Sequence, residues 1–337
     1  MSLFAFGPSR GPRWPVALQA ALGLSVPIAA MTLLGEPSLG CVAASGAFTV
    51  LFAGASPAVE RARVLPLVGT GLVVSAALGV LAASSPWLVS IGVVVVAIVS
   101  AALAFGFRLG PPGPLFFVLV FGLSAHIVAT ASIAPLAYLV AFTGGCVFSY
   151  LVSLVPLLLP EARSRRARPL RVLLPGPVLD TDALMLLLRV AIVAVLGVLL
   201  ALVVDPGRSY WIVGSAVAVI GIAAARKAAF QRGLHRMLGT VVGAGAYALL
   251  ALLHPAGLWL ALLLGVLQFA VELVVARNYA LALVFITPLV LLLTGAATGE
   301  VGSMEVALER IVDTLVGAAL GTASGLLHPR EDAPKPA

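Results

Sequence analysis

Twelve apolar stretches follow one another along the chain, separated by short polar connections. Each is close to the ~20 residues that an α-helix needs to cross the hydrocarbon core of a bilayer. Because backbone groups in lipid must find their hydrogen bonds within the segment, we expect each stretch to be a helix. The pattern therefore predicts an all-α polytopic membrane protein with about 12 transmembrane helices. The predicted spans are 14–34, 39–56, 65–83, 87–106, 114–130, 133–159, 183–204, 209–225, 236–253, 258–275, 279–296 and 304–327.

The composition agrees with a membrane-embedded chain. Hydrophobic residues make up 61% of the 337 residues and charged residues only 10%, and the mean hydropathy is +1.16. A soluble protein of this size could not cover so much apolar surface with so few charges. The net charge of +7 is spread over short connections instead of one basic surface, so we expect no nucleic-acid binding.

Arginine and lysine lie on alternate sides of the apolar stretches. Every second connection carries them, whereas the remaining connections hold only Arg208, and Arg189 and Arg310 fall inside spans. Since positive connections stay in the cytoplasm, both termini are predicted to be cytoplasmic and the number of spans to be even. The run at 14–34 is too long for the core of a signal peptide and is interpreted as the first span. Arginine-rich usage favours a bacterial source, so we expect a multi-pass protein of a bacterial cell membrane.

A charged, proline-containing linker separates two similar halves. An offset of 170 residues aligns Gly69-Thr70 with Gly239-Thr240 and also aligns the turns that precede them, which indicates a duplication with a degenerate first copy. The predicted units are an N-terminal six-helix half (1–159), a cytoplasmic linker (160–182), a C-terminal six-helix half (183–328) and a cytoplasmic tail (329–337).

The second half contains a shorter repeat of its own. The pattern Arg-x-x-Gly/Asp-Thr-x-x-Gly begins at Arg236 in the ninth span and again at Arg310 in the twelfth. The two copies lie three spans apart, so they run in opposite directions across the membrane. This arrangement is typical of inverted-topology repeats in transporters that bind substrate near the midplane. We therefore expect each half to be an inverted repeat of three helices.

Ionisable side chains within the predicted spans are the candidate functional residues. Asp313 lies near the middle of the twelfth span, where a lone charge costs at least ~2.5 kcal/mol. Arg310 precedes it by three residues, so the two can pair on one helix face. The pair predicts an anion-contacting arginine beside a proton-coupling carboxylate, or else a structural ion pair. The repeat-related Arg236 and the hydroxyls of Thr240 and Thr314 complete the predicted substrate-binding set, although Arg236 could also be a topological anchor.

Other residues in the spans predict structural roles. Arg189 and Glu272 lie at similar depths on the inner side and predict an ion pair. Pro288 must break a backbone hydrogen bond in the eleventh span, either as a kink or in a discontinuous helix at a binding site. Small residues spaced by four let helix backbones approach, so packing is predicted at Gly239, Gly243, Gly317, Gly321 and Gly325. No catalytic arrangement or metal-ligand spacing is visible, and we expect no enzyme activity, cofactor or metal.

Further short motifs connect the second half to a known family. Tyr210-Trp211 opens the eighth span, Asn278-Tyr279 leads into the eleventh, and Pro288 follows. In this order, and together with the two arginine motifs, they make the second half similar to the family of fusaric acid resistance proteins and aromatic acid exporters. Plant aluminium-activated malate channels are similar at a greater distance. The resemblance implies an integral membrane protein that transports organic anions.

The first half departs from these motifs. With the offset of 170 residues, Pro66 stands in place of Arg236 and Val140 in place of Arg310.

From the ionisable residues in the spans and from the resemblance, we predict a secondary transporter that exports small organic anions, aromatic or carboxylate, with Asp313 as the proton-coupling group. A passive anion channel and a membrane scaffold without a substrate are the alternatives. The expected partners are the anion and the lipid bilayer, and the protein would act as a monomeric pseudo-dimer or as a homodimer.

Overall fold

The computed structural model describes residues 11–131, 133–204, 206–221 and 225–327, and this part of the chain consists of helices without a strand. The helices are α1 (Trp14–Leu33), α2 (Pro37–Ala44), α3 (Ala58–Ala82), α4 (Pro86–Gly106), α5 (Leu115–Thr130), α6 (Pro135–Leu154), α7 (Pro160–Arg163), α8 (Leu170–Leu173), α9 (Thr181–Val204), α10 (Ser209–Ile220), α11 (Arg226–Ala251), α12 (Gly257–Val274), α13 (Tyr279–Thr298) and α14 (Met304–Ser324). Short 3₁₀ segments extend α2 over Ser45–Leu51, α6 over Val155–Leu158 and α14 over Gly325–Leu327, and another precedes α10 at Pro206–Arg208.

Within these ranges, nine helices are long and apolar enough to cross a membrane, and three shorter apolar helices lie among them. The predicted fold class is confirmed, because the described chain is an all-α polytopic membrane protein. The count of 12 spans stays a prediction, since the shorter helices do not meet the length that a full crossing requires.

The second helix of each half is shorter than predicted. The spans expected at 39–56 and 209–225 contain α2, of 8 residues before its 3₁₀ extension, and α10, of 12 residues. At a rise of 1.5 Å per residue α10 is only ~18 Å long, against a hydrocarbon core of ~30 Å. It ends at Gly221, where φ is +57°, in the left-handed region that glycine tolerates best. Both helices therefore end inside the bundle.

The third helix of each half begins earlier than predicted. α3 and α11 start at Ala58 and Arg226, although the apolar pattern places their starts at 65 and 236. The reason is that a helix continues past the apolar core into its polar first turns, where arginines can hydrogen-bond to neighbouring elements. Arg61 and Arg232 consequently lie on helices and not in turns.

Helix packing is reciprocal between the two halves. α1 packs on α12 and α9 on α4, so the first helix of each half lies against the fourth helix of the other. In the same way α2 packs on α13, and α10 packs on α5. Within each half the second helix packs on the sixth and the third on the fifth. This reciprocity agrees with the predicted duplication. It also means that the halves interlock, so the domain bounds given above remain a prediction.

The sixth helices, α6 and α14, align differently from the expected offset. Val140 is 64% exposed and Arg310 only 4%, so these two residues do not occupy equivalent places. The buried positions coincide when Tyr138 is aligned with Arg310 and Phe142 with Thr314. The alignment of Val140 with Arg310 is therefore wrong, because the fifth helix and the connections on either side of it differ in length between the halves.

Glycines allow the second helix to touch the sixth in both halves. A Cβ added at Gly145 would lie 1.8 Å from the carbonyl oxygen of Ala43, and one added at Gly317 would lie 2.2 Å from that of Ile212. No real side chain fits at such distances. The two contacts are counterparts under the duplication, since each joins the sixth helix of a half to its second.

The motif glycines of the second half face backbone carbonyls. Gly239 and Gly243 meet α13, whereas Gly317 and Gly321 meet α10, in each case with an added Cβ within 3 Å of a carbonyl oxygen. Gly325 lies against α11. Packing of α11 on α13 thus mirrors packing of α14 on α10, and α11 also packs on α14. An inverted repeat of three helices predicts this symmetry.

Basic connections gather at one face of the bundle. The linker residue Arg168 pairs with Glu60 at the start of α3, with 2.7 Å between Nε and Oε1, and Arg108 after α4 pairs with Asp180 at 3.2 Å. The end of α14 lies at the face that carries the linker, because Ser324 there contacts Arg189 in the first part of α9. Arg208 pairs with Glu309 near the start of α14, so it lies at the other face. The charge bias predicts such segregation. Which face is cytoplasmic stays a prediction.

Candidate polar track in the second half

Helix α10 is enclosed by protein. All of its residues from Ser209 to Ile220 are buried, and it packs against α5, α9, α11 and α14. A polar side chain on such a helix must find its partners inside the protein, since an unsatisfied buried polar group is costly. The side chains that meet α10 therefore define the polar interior of this half.

An arginine stacked on an indole lies at the N-terminal end of α10. The guanidinium of Arg310 lies over the ring of Trp211, with 4.6 Å between Cζ and the ring centroid. The Trp211 Nε1–H donates a hydrogen bond of 3.1 Å to the hydroxyl of Thr314. Arg208, just before α10, forms an ion pair with Glu309. Two arginines and the positive end of the helix dipole thus converge at the first turn of α10.

Arg310 is buried, and some of its hydrogen-bond donors are not used. Its Nε and Nη1 atoms have no acceptor among the described residues. The buried Tyr210 lies beside it, with its ring 6.1 Å from that of Trp211, and its hydroxyl is within reach of the charges of Arg310, Arg208 and Asp313. A cation–π contact compensates a buried guanidinium only in part. The first turn of α10 therefore offers donors to an anion.

Asp313 and Thr314 continue the polar surface along α14. Asp313 is almost wholly buried and lies one helical turn beyond Arg310. The Ser215 hydroxyl donates a hydrogen bond of 2.9 Å to the carbonyl oxygen of Thr314. Polar contacts thus pass from the first turn of α10 to its middle.

A second arginine cluster meets the C-terminal half of α10. Arg236 donates through Nε to the hydroxyl of Ser215 at 2.8 Å and through Nη1 to the hydroxyl of Tyr279 at 3.0 Å. Arg232 lies over the Tyr279 ring, 5.0 Å from its centroid, and donates to the carbonyl oxygen of Ala218 at 3.0 Å. The latter bond satisfies a carbonyl at the end of a short helix, where cations are favoured.

These contacts form one continuous line beside α10, which we call the polar track. It begins at the Arg208–Glu309 pair, passes the stacked Arg310 and Trp211, and ends at the arginine cluster around Tyr279. Its members are Arg208, Trp211, Ser215, Arg232, Arg236, Tyr279, Glu309, Arg310, Asp313 and Thr314.

Most of the residues proposed from the sequence lie on or beside this track. Arg236, Arg310, Asp313 and Thr314 are members, and Thr240 is buried one turn after Arg236 on the same helix. The family-motif residues divide into two kinds. Trp211 and Tyr279 are members of the track, and Tyr210 borders it. Asn278 caps α13 by accepting the Leu281 N–H at 2.9 Å, and Pro288 lies buried inside α13.

The predicted ion pair between Arg189 and Glu272 is wrong. Glu272 of α12 pairs instead with Arg13 of α1 at 3.1 Å, and Arg189 of α9 contacts the hydroxyl of Ser324 at 3.3 Å. The apolar pattern predicts how far along its helix each charge lies, but it does not predict which helices are neighbours. Because α12 packs on the first helix of the other half, its carboxylate meets that half's arginine.

Several track residues were not anticipated. Ser215 and Arg232 are members, whereas Tyr247 on α11, which accepts the Gly302 N–H at 3.0 Å, lies outside the track. The predicted spans leave Arg232 in a connection, because they begin the ninth span at residue 236, whereas α11 begins at Arg226. A serine in an apolar run carries no signal of its own, and only its contacts with Arg236 and Thr314 give Ser215 significance.

The fold and the track together define a multi-pass integral membrane protein with a buried, arginine-lined polar interior in its second half. Residues 185–324 match the family model described as "Fusaric acid resistance protein-like", which confirms the resemblance predicted from the motifs over this half.

A curated protein is also similar to part of the chain. The chain is 31% identical over 140 residues to the "Uncharacterized membrane protein YvaC" of Bacillus subtilis (strain 168), a match that covers 42% of this chain and 22% of that protein. The match thus spans only about a fifth of the length of the curated relative. No solved structure matches the chain.

Proposed function

We propose that this chain is a secondary transporter that exports small organic anions across a bacterial cell membrane, and that the polar track carries them. The observation that supports this most directly is Arg310, a buried cation with unfilled donors at the first turn of a short helix. Half-helix N-termini that face anionic groups are a recurring feature of transporter binding sites. The stacked Trp211 adds an aromatic surface suited to an aromatic carboxylate.

The structure has this site closed. Trp211, Ser215, Arg310 and Thr314 are all buried, and their polar atoms contact one another. An anion can reach Arg310 only if α10 and α14 separate, because these two helices cover the track between them. Alternating access by movement of one repeat against the other would provide that opening.

The test is a flux measurement on the full chain in proteoliposomes. Fusaric acid serves as the probe, since the matching family is described by it, and succinate serves as a carboxylate without an aromatic ring. Arg310→Gln should lower the initial rate about 10- to 100-fold, because a hydrogen bond to a charged group is worth ~1.5–3 kcal/mol. Arg165→Gln removes the same charge from an exposed linker position and should leave the rate unchanged.

Two further outcomes decide between mechanisms. If Asp313 couples transport to protons, Asp313→Asn should keep flux down a concentration gradient but lose its acceleration by an imposed pH gradient. A folded Arg310→Gln protein with the flux of the wild type would overturn the proposal and leave the scaffold as the better interpretation.

A passive anion channel is the second candidate, and the continuity of the polar track along α10 favours it. A channel gives ionic currents across a planar bilayer and flux that does not saturate. A coupled carrier gives saturable flux without such currents. The same Arg310→Gln and Arg165→Gln proteins apply to both measurements.

A further inference from the structure

The first half has a basic pocket at the face that carries the linker. It is a cavity of about 170 Å³ between the connection after α4, the linker and α3, and its lining includes Arg108 and Arg168. Both side chains are more than half exposed, so their guanidinium groups are accessible although they pair with Asp180 and Glu60. Arg63 donates to the carbonyl oxygen of Arg168 at 2.7 Å and adds a further positive charge beside the pocket.

An apolar groove continues from this pocket along the membrane-facing surface. It has a volume of about 380 Å³, lies between α3 and α4, and shares Leu109 and Leu174 with the basic pocket. Exposed side chains such as Leu67, Val99 and Leu103 border it. Its lining is apolar except for two serines.

The groove has the length of a lipid tail. Its lining on α4 extends from Val95 to Phe107, which at 1.5 Å per residue corresponds to ~18 Å. Half of a ~30 Å hydrocarbon core is ~15 Å, the depth of one leaflet. The basic pocket lies at the end of the groove near Phe107, where a headgroup at the bilayer surface would be found.

The backbone presents Arg108 at this junction. Its φ is +51°, in the left-handed region that is uncommon for residues other than glycine. Such conformations persist only when the surroundings hold them, and they occur preferentially at functional positions. Here the turn keeps a guanidinium at the mouth of an apolar groove.

We propose that the first half binds an anionic phospholipid, with its phosphate between Arg108 and Arg168 and one acyl chain in the groove between α3 and α4. Charge and shape argue for this occupant. A soluble phosphate would use only the pocket, and a zwitterionic lipid would gain less from the excess of arginine, because its ammonium group offsets the charge of its phosphate. Basic pockets between transmembrane helices on the cytoplasmic side favour anionic headgroups. The inference does not depend on the transport function.

The experiment measures lipid binding to the purified full chain in detergent. Thermal unfolding is followed with added phosphatidylglycerol, with phosphatidylcholine of the same acyl chains, and with glycerol 3-phosphate, and retained lipid is identified by native mass spectrometry. Phosphatidylglycerol should raise the unfolding temperature and be retained, whereas the other two should do neither. Arg108→Gln should weaken phosphatidylglycerol binding about fivefold, the effect expected of one arginine near an anionic headgroup.

A second variant tests the groove without changing charge. Leu103→Trp should crowd the groove and lower retained phosphatidylglycerol, whereas Val147→Trp, at a similarly exposed apolar position on α6, should not. Arg165→Gln is the matched control for charge. Equal stabilisation by phosphatidylcholine, or by glycerol 3-phosphate alone, would overturn the proposal. So would a Leu103→Trp protein that loses a dimer and keeps its lipid, because the groove would then be an interface between copies.

Discussion

The second helix of each half shows how one architecture can serve two purposes. α2 and α10 are both short, α10 is buried throughout and α2 from Gly40 onward, and both are held against a sixth helix by a glycine. An arginine caps each region at its C-terminal end: Arg61 donates to the carbonyl oxygen of Val50 at 2.8 Å, and Arg232 donates to that of Ala218. The frame of the two halves is therefore the same.

The side chains that fill the frame differ. When the two capping arginines are aligned, the buried Leu65 corresponds to Arg236, one residue from the Pro66 that the offset of 170 residues predicts. On the sixth helix, Tyr138 stands opposite Arg310 in the alignment by burial, as described above. Apolar and aromatic side chains thus fill the first half, whereas the second half holds the polar track. The first half also buries charge, at Glu60 and Arg61 near the start of α3, but its sixth helix carries none, whereas the sixth helix of the second half buries Arg310 and Asp313. Since buried charge within a span is costly, this difference supports the proposal that the second half carries the function.

Glycine substitution should have the largest effect, and it should be alike in both halves. Gly145→Val and Gly317→Val would each drive a side chain into a backbone carbonyl of the second helix. Overpacking of this severity should lower the free energy of unfolding by more than about 3 kcal/mol. Gly144→Val is the control, because an added Cβ there meets nothing within 4 Å. The measurement is thermal unfolding in detergent. Tolerance of Gly145→Val alone would show that the halves do not share this contact.

A charge introduced into the first half should be the next most damaging change. Tyr138→Arg would bury a guanidinium among apolar side chains, at a position whose counterpart Arg310 is tolerated. The expected loss is about 2.5–3.5 kcal/mol, the insertion cost of a central arginine. The wild-type tyrosine also accepts a hydrogen bond of 2.9 Å from Ser124, so Tyr138→Phe serves to separate that contribution. Unchanged stability of Tyr138→Arg would mean that the first half, too, has room for charge.

The two capping arginines should differ moderately in how much each contributes to the stability of the fold. Arg61 is wholly buried and also donates to Gln19. Arg61→Met should lower the free energy of unfolding by about 1.5–3 kcal/mol, because two acceptors then lose a charged donor. Arg232 is only partly buried, so Arg232→Met should cost about 1 kcal/mol. Chemical unfolding of both variants gives the comparison. A larger loss for Arg232 would imply that α10 depends on its cap more than the 3₁₀ segment after α2 does.

Sequence patterns predicted the fold class because hydropathy and charge bias act on each segment separately. They also located Arg310, Asp313 and Arg236, since a charge in an apolar run stands out without any knowledge of packing. Lateral neighbours could not be predicted in the same way. The partner of Glu272 came from the opposite half, and the place of Arg310 in the first half was two residues from the expected one, because both depend on how helices pack.

Substitution of Trp211, which lies on α10 of the second half, should have the smallest effect on stability. Trp211→Phe keeps an aromatic ring under Arg310 but removes the hydrogen bond to Thr314 and weakens the cation–π contact. The expected loss of stability is about 1 kcal/mol, the usual net value of one hydrogen bond. Fusaric acid flux should fall severalfold while succinate flux changes less, because only the aromatic anion competes for the indole surface. Equal reductions for the two anions would argue that Trp211 positions Arg310 and does not contact the substrate. Phe142→Leu, which removes a ring from a buried position on α6 of the first half, should change stability but neither flux.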